Sequence, residues 1–272
     1  TVGAYDRDGR ASIIGLYVDG DPGDPERYVP VLVQAGLSLP DESYFRLDTF
    51  ADTRAAYRAH LERLLGLAGV ADAAVNADRA IALETELAGH HWDNVRSRDA
   101  VATYNLKTWE ELQALAGVDL TPWREAVSPS NPAAFDEVVV SQPSFFEGLG
   151  SLLTPERLDD WKAWLRAKAV HAAAPYLTDD LVQENFSFYG TELTGVPTIR
   201  ERWKRGVSLT EGALGEAIGK VYVERHYPPT AKAAMDELVA HLIEAYRQSI
   251  TELEWMTAET RERALAKLDS FT

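Results

Sequence analysis

The chain has 272 residues, of which 46% are hydrophobic and 26% are charged. This balance is typical of a globular protein and excludes a disordered chain. A formal net charge of −16 disfavours nucleic acid and anionic membranes as partners, and no apolar run approaches the roughly 18–20 residues of a membrane-spanning helix. Because cysteine is absent, disulfides, thiol catalysis and cysteine-ligated zinc are excluded as well.

The first twenty residues are predicted to be extended, because Ser12 to Val18 is rich in isoleucine, leucine, tyrosine and valine. The sequence DGDPGDP follows, from Asp19 to Pro25, and its aspartate, glycine and proline residues are those of a tight turn. A short N-terminal β-hairpin or strand pair is therefore expected.

Helical periodicity dominates the rest of the chain. Pro25 to Gly36 is predicted to be helical, and so are Asp48 to Gly66 and Asp72 to His91, where apolar residues recur every three or four positions. Proline, asparagine and glycine predict loops at 129–132 and at 148–150.

Three later sites have the residues of a helix N-terminus. Thr154-Pro155-Glu156 combines a capping residue, a proline suited to the first helical position and an acidic residue at the positive end of the helix dipole. Ser208 and Glu211 fit a capping box. Thr257 is expected to open the last helix, which ends near Leu268.

The longest helix is predicted to follow Pro228-Pro229. Eight of its apolar residues fall within about 140° of arc when residues are placed at 100° intervals. Burial of such side chains stabilises a fold by roughly 1.5–3 kcal/mol each before entropy is counted, so this helix is predicted to be a core strut. The eight residues are Met235, Leu238, Val239, Leu242, Ile243, Tyr246, Ile250 and Leu253.

The resulting fold prediction is mainly α: one multi-helix domain over residues 1–272, with a short N-terminal β-hairpin or strand pair. The sequence has no internal repeat, no low-complexity linker and no shift in composition that would divide it.

Catalytic signatures are missing from the chain. The patterns GxSxG, GxGxxG, GxxxxGK[ST] and HExxH do not occur, so no catalytic residue and no metal ligand is predicted. The adjacent residues His90 and His91 would point about 100° apart on a helix and are assigned a structural role. Helix-packing anchors are predicted at Trp92, Trp109, Trp161 and Trp164. The six histidines are His60, His90, His91, His171, His226 and His241.

One helix face could offer ligands to a metal. Glu237, His241 and Glu244 are spaced by four and three residues and therefore share a face, as ligands do in carboxylate-bridged di-iron bundles. Such bundles need a matching set on other helices, and the sequence contains none that is convincing. A solvated helix face is the favoured interpretation.

Arg202-Trp203-Lys204-Arg205 is the only dense basic patch. It could contact an acidic peptide or a partner domain. In an acidic protein such a patch more often forms intramolecular salt bridges, and we favour that role.

Four segments resemble, in register and in order, the neprilysin family of zinc metalloendopeptidases. The first three are similar to the family's QxGLxLPDxxYY, HWxxxxxRDxxxTYN and FYxxxLxG…RWKR stretches, and the fourth is similar to the segment just before its catalytic domain. The segments are Gln34 to Phe45, Trp92 to Asn105, Phe188 to Arg205 and Gly215 to Leu268.

The resemblance implies that this chain is the mostly helical domain that lies like a lid over a thermolysin-like catalytic domain. Its partners would be that catalytic domain and peptide substrates. Zinc, its ligands and the general-base glutamate would belong to the full-length enzyme, C-terminal to Thr272, so the chain itself is expected to hold no cofactor. Without cysteine, it is more similar to bacterial members, either cytoplasmic or secreted, and soluble.

Two other functions stay open at this point. The chain could be a stand-alone, non-catalytic helical module that binds peptides or proteins. More remotely, it could be a helical metalloenzyme that uses Glu237, His241 and Glu244. Whether the chain alone is an enzyme is not decided by its sequence.

Overall fold

The computed structural model describes residues 2–10 and 12–271 and divides the chain between Ile199 and Arg200 into two compact units. The mainly α fold class is confirmed, and the assignment of residues 1–272 to one domain stays a prediction. The helices of the first unit are α1 (Val2–Arg7), α2 (Ser43–Arg46), α3 (Ala51–Leu67), α4 (Ala73–Ala88), α5 (Trp109–Ala116), α6 (Thr121–Val127), α7 (Pro143–Leu152), α8 (Leu158–Ala173) and α9 (Asp179–Phe186). Those of the second are α10 (Arg202–His226), α11 (Pro229–Glu252) and α12 (Ala258–Asp269).

Shorter turns of helix connect these elements. A six-residue π-helix, Ser187–Glu192, follows α9 directly. Single 3₁₀ turns lie at Asp48–Phe50, Arg96–Arg98, Pro132–Phe135, Pro155–Arg157 and Ala174–Tyr176. The predicted helix start at Thr154 is therefore confirmed in place, although a 3₁₀ turn precedes α8.

The predicted N-terminal hairpin is confirmed. Strands β1 (Ile14–Asp21) and β2 (Asp24–Gln34) pair antiparallel around the turn at Pro22-Gly23. The prediction of extended backbone is wrong for Val2–Arg7, which forms α1. There the absence of a side chain at Gly3 lets α1 approach α6, because a Cβ would lie 2.6 Å from the Trp123 carbonyl oxygen.

The predicted helix from Pro25 to Gly36 is wrong, because these residues form most of β2. Val29, Val31 and Val33 are β-branched, which favours a strand. Residues 29–32 are all buried, and a short run of apolar residues without alternation cannot be distinguished from a buried helix by periodicity. Strand pairing, which is tertiary, decides the outcome.

A four-stranded sheet with the order β1-β2-β4-β3 flanks the helices. Its other strands are β3 (Leu106–Thr108) and β4 (Glu137–Val140); β2 runs parallel to β4, and β3 runs antiparallel to it. The main core joins this sheet to α3, α4, α5, α7 and α8. Its largest fully buried side chains include Trp164, Tyr57, Phe145, Phe146 and Leu83. The prediction of tryptophan anchors is confirmed by Trp92, Trp109 and Trp164, which are buried, and by Trp161, which packs against the same core.

Gly148 and Gly150 were expected in a loop, and this prediction is wrong. Both lie inside α7, and their missing side chains permit close packing. A Cβ on Gly150 would lie 1.7 Å from the carbonyl oxygen of Ala116 at the end of α5. Glycine here serves helix packing and not a turn.

Within residues 200–271 the second unit contains three helices, and two predictions about it are wrong. The capping box at Ser208 and Glu211 is not formed, because α10 has already begun at Arg202. The apolar stripe of α11 is no core strut within the described residues, since five of its eight side chains are 47–60% exposed. The helix start at Thr257 is confirmed, because its hydroxyl accepts a hydrogen bond from the Thr260 amide at 3.2 Å.

Gly150→Ala should destabilise the first unit by about 2–3 kcal/mol, because the new methyl group overlaps the backbone of α5. The matched control is Gly66→Ala in α3, where a Cβ meets nothing within 4 Å. Higher helix propensity should make that variant more stable by about 0.5–1 kcal/mol. Urea unfolding followed by tryptophan fluorescence measures both, and equal effects of the two substitutions would contradict the packing role of Gly150.

Candidate functional site

The first two segments that carry the family resemblance are joined by hydrogen bonds. The side chain of Gln34 accepts a hydrogen bond from the Trp92 amide at 2.7 Å and donates one to the Trp92 carbonyl oxygen at 2.9 Å. The indole of Trp92 donates to the Ser144 hydroxyl at 2.7 Å. Two stretches that are 58 residues apart in sequence therefore form one structural element.

A cavity of about 310 Å³ lies where these segments meet. The Nε2–H of His91 donates a hydrogen bond to the Ala35 carbonyl oxygen at 3.0 Å. Burial lowers the pKa of His91 to about 4, so the ring is neutral near pH 7. Burial would raise the pKa of Asp41, but hydrogen bonds from Ser43 and Asn94 hold it below its usual value. The cavity is lined by Ser12, Gln34, Ala35, Gly36, Leu37, Leu39, Pro40, Asp41, Glu42, His91, Trp92, Asn94 and Lys168.

A fully buried carboxylate, Glu84 of α4, lies next to this cavity. It accepts hydrogen bonds from the Ser38 hydroxyl at 2.6 Å, the Ser38 amide at 3.2 Å and the Tyr57 hydroxyl at 3.1 Å. The Lys168 ammonium lies 3.6 Å from the same carboxylate and donates to the Leu37 carbonyl oxygen at 2.8 Å. Burial lowers the pKa of Lys168, and the charge of Glu84 opposes this. The network therefore ties α3, α4 and α8 to the loop of residues 37–38.

Two histidines, the buried His60 and the partly buried His171, face the π-helix. The ring of His60 stacks on Phe188 at 4.8 Å, and the ring of His171 lies 4.5 Å from Tyr189. The Nδ1 atom of His60 lies 2.9 Å from the carboxylate of Glu184, while its Nε2 atom is buried without a hydrogen-bond partner. Burial lowers the pKa of His60 although Glu184 opposes this, and burial lowers that of His171 to about 4.

These buried polar residues were not singled out in the sequence. Glu84 falls at a core position of α4, next to Leu83 and between Ala80 and Leu87, and a charge on an apolar stripe is the signal that could have found it. For Tyr57 the apolar periodicity of α3 predicts burial of the ring but says nothing about its hydroxyl.

The residues considered as metal ligands are not brought into a site. Glu237, His241 and Glu244 lie on an exposed face of α11. Within residues 2–10 and 12–271, no three histidine, aspartate or glutamate side chains are arranged to hold a metal ion. The described residues therefore do not fit a zinc centre.

The basic patch and the apolar residues of α10 are both at the surface. Lys204 forms an ion pair with Glu201 at 3.2 Å, and Trp203 is 65% exposed and donates to Glu201 at 2.7 Å. These contacts fit the structural role that we favoured for Arg202–Arg205. A separate shallow groove of about 420 Å³ on α10 is almost wholly apolar and is lined by Leu214, Ala217, Ile218, Val221, Tyr222, Arg225 and His226.

Comparison with known proteins gives a consistent result. The family model for the N-terminal part of Peptidase family M13 matches residues 1–272. The zinc metalloprotease Zmp1 of Mycobacterium tuberculosis in complex with an inhibitor matches 99% of this chain at 48% identity, with a TM-score of 0.92. The TM-score is 0.86 for the open state of that enzyme and 0.77 for its partial open state.

A neutral endopeptidase of Lactobacillus helveticus is 26% identical over 208 residues, which are 75% of this chain and 32% of that protein. The chain spans 41% of inhibitor-bound Zmp1. It thus corresponds to less than half the length of the proteins it matches. Among the described residues, no helix has the combination of length and apolar character that is needed to cross a bilayer.

Lys168→Met should lower the free energy of unfolding by about 3 kcal/mol, because it leaves the buried Glu84 carboxylate without a cation. Adding Glu84→Gln to that variant should recover part of the loss, since a neutral amide needs no countercharge. Lys162→Met, which removes an exposed ion pair with Asp159 on the same helix, is the control and should cost less than about 0.5 kcal/mol. Urea unfolding of the unaltered chain and the three variants measures these changes; equal losses for the two lysines would contradict a structural role for the buried pair.

Acid should destabilise the first unit through the partly buried His171. Burial lowers the pKa of His171 in the folded chain from its ordinary value of 6.5 to about 4. The contribution of His171 to stability is therefore present above pH 6.5 and is lost as the pH falls from 6.5 through about 4. His171→Gln should reduce the loss over this range by roughly 2 kcal/mol, after allowance for partial exposure.

The measurement is unfolding by urea at a series of pH values, read from tryptophan fluorescence. His241→Gln, at an exposed position on α11, is the control and should leave the pH dependence unchanged. An unchanged slope in His171→Gln would show that His171 does not become protonated on unfolding in this range.

Proposed function

The chain belongs to peptidase family M13, and from this membership we propose that it is the helical, substrate-gating part of a zinc metalloendopeptidase that hydrolyses peptides. In this function it covers the active site and limits the size of the substrates that enter. The observation that carries the proposal is the match of 99% of the chain to 41% of inhibitor-bound Zmp1 at a TM-score of 0.92.

The proposal assigns catalysis to the part of the longer protein that this chain does not include. Zinc, its ligands and the general base come from there, and the chain contributes enclosure. Enclosure acts by excluding substrates that are too large and by removing bulk water from the reacting groups. The chain's partners in this function are its own catalytic domain and peptide substrates.

The exposed apolar surfaces of the second unit support the proposal that a partner domain covers them. The stripe on α11 contains Leu238 and Leu242, and the groove on α10 contains Ile218 and Val221; all four side chains are 39–49% exposed. Contiguous apolar surface of this kind is typical of a protein–protein interface. Burial against a catalytic domain would give the α11 stripe the core role that its sequence predicts.

The first unit has the rigidity that a gate requires. A lid can exclude large substrates only if it moves as a body and does not deform around them. The buried Glu84 network joins three helices to one loop, and Trp164 donates a hydrogen bond to the Gly36 carbonyl oxygen at 2.9 Å. These contacts support a unit that keeps its shape.

The chain between the two units supports a hinge. The π-helix Ser187–Glu192 and Gly195, whose φ is +71°, precede the boundary at Ile199. π-helical turns are frequent at functional sites, and glycine adopts positive φ without strain.

The longer protein that contains this chain should cleave peptides at a rate that falls steeply with substrate size. The measurement is kcat/KM for a series of unstructured peptides of increasing length, for one folded protein and for the same protein after denaturation. We expect short peptides to be cleaved and the folded protein to resist. Cleavage of the folded protein as fast as of short peptides would overturn the gating function.

The isolated chain provides the matched control. It should neither hydrolyse these peptides nor bind zinc tightly in an equilibrium titration, because no described cluster fits the metal. The alternative, a stand-alone peptide-binding module, stays a prediction, and it requires peptide binding by the isolated chain in the absence of a catalytic part.

A further inference from the structure

The outer edge of strand β1 is open. β1 is the first strand of the sheet, and β2 is its only neighbour among the described residues. The side chains of its middle section point into solvent: Leu16 is 37% exposed, Tyr17 49% and Val18 63%. An open edge strand of eight residues is a template to which another extended chain can add.

Pro30 of β2 determines which groups of β1 face this edge. Val18 lies opposite Pro30 in the antiparallel register. Because proline has no N–H, this pair cannot be one that exchanges two hydrogen bonds, and the N–H and C=O of Val18 must point away from β2. By the two-residue period of a strand, the same groups of Leu16 also point outward. The edge thus offers two donors and two acceptors.

At the Asp19 end of β1, one outward-facing backbone donor is already occupied by a side chain of the same strand. The Gly20 amide, which by the same period faces outward, is already bonded to the Asp19 carboxylate at 2.8 Å. An added strand can therefore pair along Leu16 and Val18 and must end beside Asp19. Its terminal side chain there would meet a carboxylate.

The charge of this region is negative. Residues 1–199 contain 31 acidic and 16 basic residues, whereas residues 200–272 contain 12 and 11, so that nearly all of the net charge of −16 belongs to the first unit. At the hairpin end, Asp19, Asp24 and Glu26 are exposed, and Arg27 is committed to ion pairs with Asp21 and Glu137. The like charge of two copies of this chain opposes their association along β1.

We propose that the open edge of β1 binds an extended peptide with basic side chains, by strand addition. The peptide backbone pairs with Leu16 and Val18, and a lysine or arginine lies beside Asp19. The exposed ring of Tyr17, two residues from Asp19 and on the same face of the sheet, offers its face to the same cation. The inference goes beyond the proposed function, because it concerns binding by this chain and does not require catalysis.

The binding test uses the 272-residue chain and fluorescein-labelled heptapeptides in which lysine alternates with valine. Two control peptides have glutamate in place of lysine, or methyl groups on the amide nitrogens that would pair with the edge. Fluorescence anisotropy should give binding of the lysine peptide that is at least about tenfold tighter than that of either control. Equal binding of the lysine peptide and its N-methylated form would overturn the proposal.

Two variants of the chain separate backbone pairing from charge. Val18→Pro removes an N–H that β2 does not use, and it should weaken binding of the lysine peptide at least about tenfold. Asp19→Asn keeps an acceptor for the Gly20 amide but removes the charge, and it should weaken binding of the lysine peptide about threefold. Glu147→Gln, at an exposed position on α7, changes the net charge equally and should leave binding unchanged.

Sedimentation of the free chain tests whether a second copy of the chain occupies the edge of β1 in place of a peptide. Association of two copies that Val18→Pro abolishes would show that the edge pairs with itself, and would overturn the proposal. Because the peptide with methylated amides tests pairing on the unaltered chain, the result stands even if Val18→Pro disturbs the hairpin. Failure of peptide binding would leave the size dependence of the longer enzyme untouched, so the two proposals fail independently.

Discussion

The rest of the first unit depends on the buried pair of Glu84 and Lys168. A carboxylate that is removed from water is tolerated only when hydrogen bonds and a cation replace its hydration. Here Ser38, Tyr57 and Lys168 provide them, and each belongs to a different element of the fold. The need to satisfy one charge thus fixes the loop of residues 37–38 against three helices. These bonds to Leu37 and Ser38 hold the motif segment Gln34 to Phe45 in its conformation.

The two units differ in what holds them together. The first has a continuous apolar core with a polar network inside it, and its surface carries nearly all of the negative charge. The second consists of three amphipathic helices whose apolar faces are largely exposed within the described residues. The first unit therefore resembles a domain with its own complete core. The second presents an exposed apolar surface of the kind that another domain covers. This contrast suits a rigid cover attached to a catalytic body, as we propose.

The sequence predicted most helices correctly where their apolar residues recur with helical spacing. Leu61, Leu64 and Leu65 of α3 are buried as their positions imply. Prediction failed where short segments are decided by distant partners. Residues 29–32 form a strand because β1 and β4 lie on either side of them, and Gly150 lies within a helix because α5 passes too close for a side chain.

Composition and local spacing by themselves determined the helical class, the N-terminal hairpin and the helix starts at Thr154 and Thr257. Four motif segments carried a resemblance to the family, which comparison with known proteins confirmed. These features depend on interactions between residues close in sequence, or on residue patterns that persist along the chain. Only the tertiary structure decided the burial of Glu84, the facing of His60 and His171 towards the π-helix, and the open edge of β1. Each of these depends on which elements become neighbours in space, because burial, pairing and charge compensation are properties of the packed chain and not of any one segment.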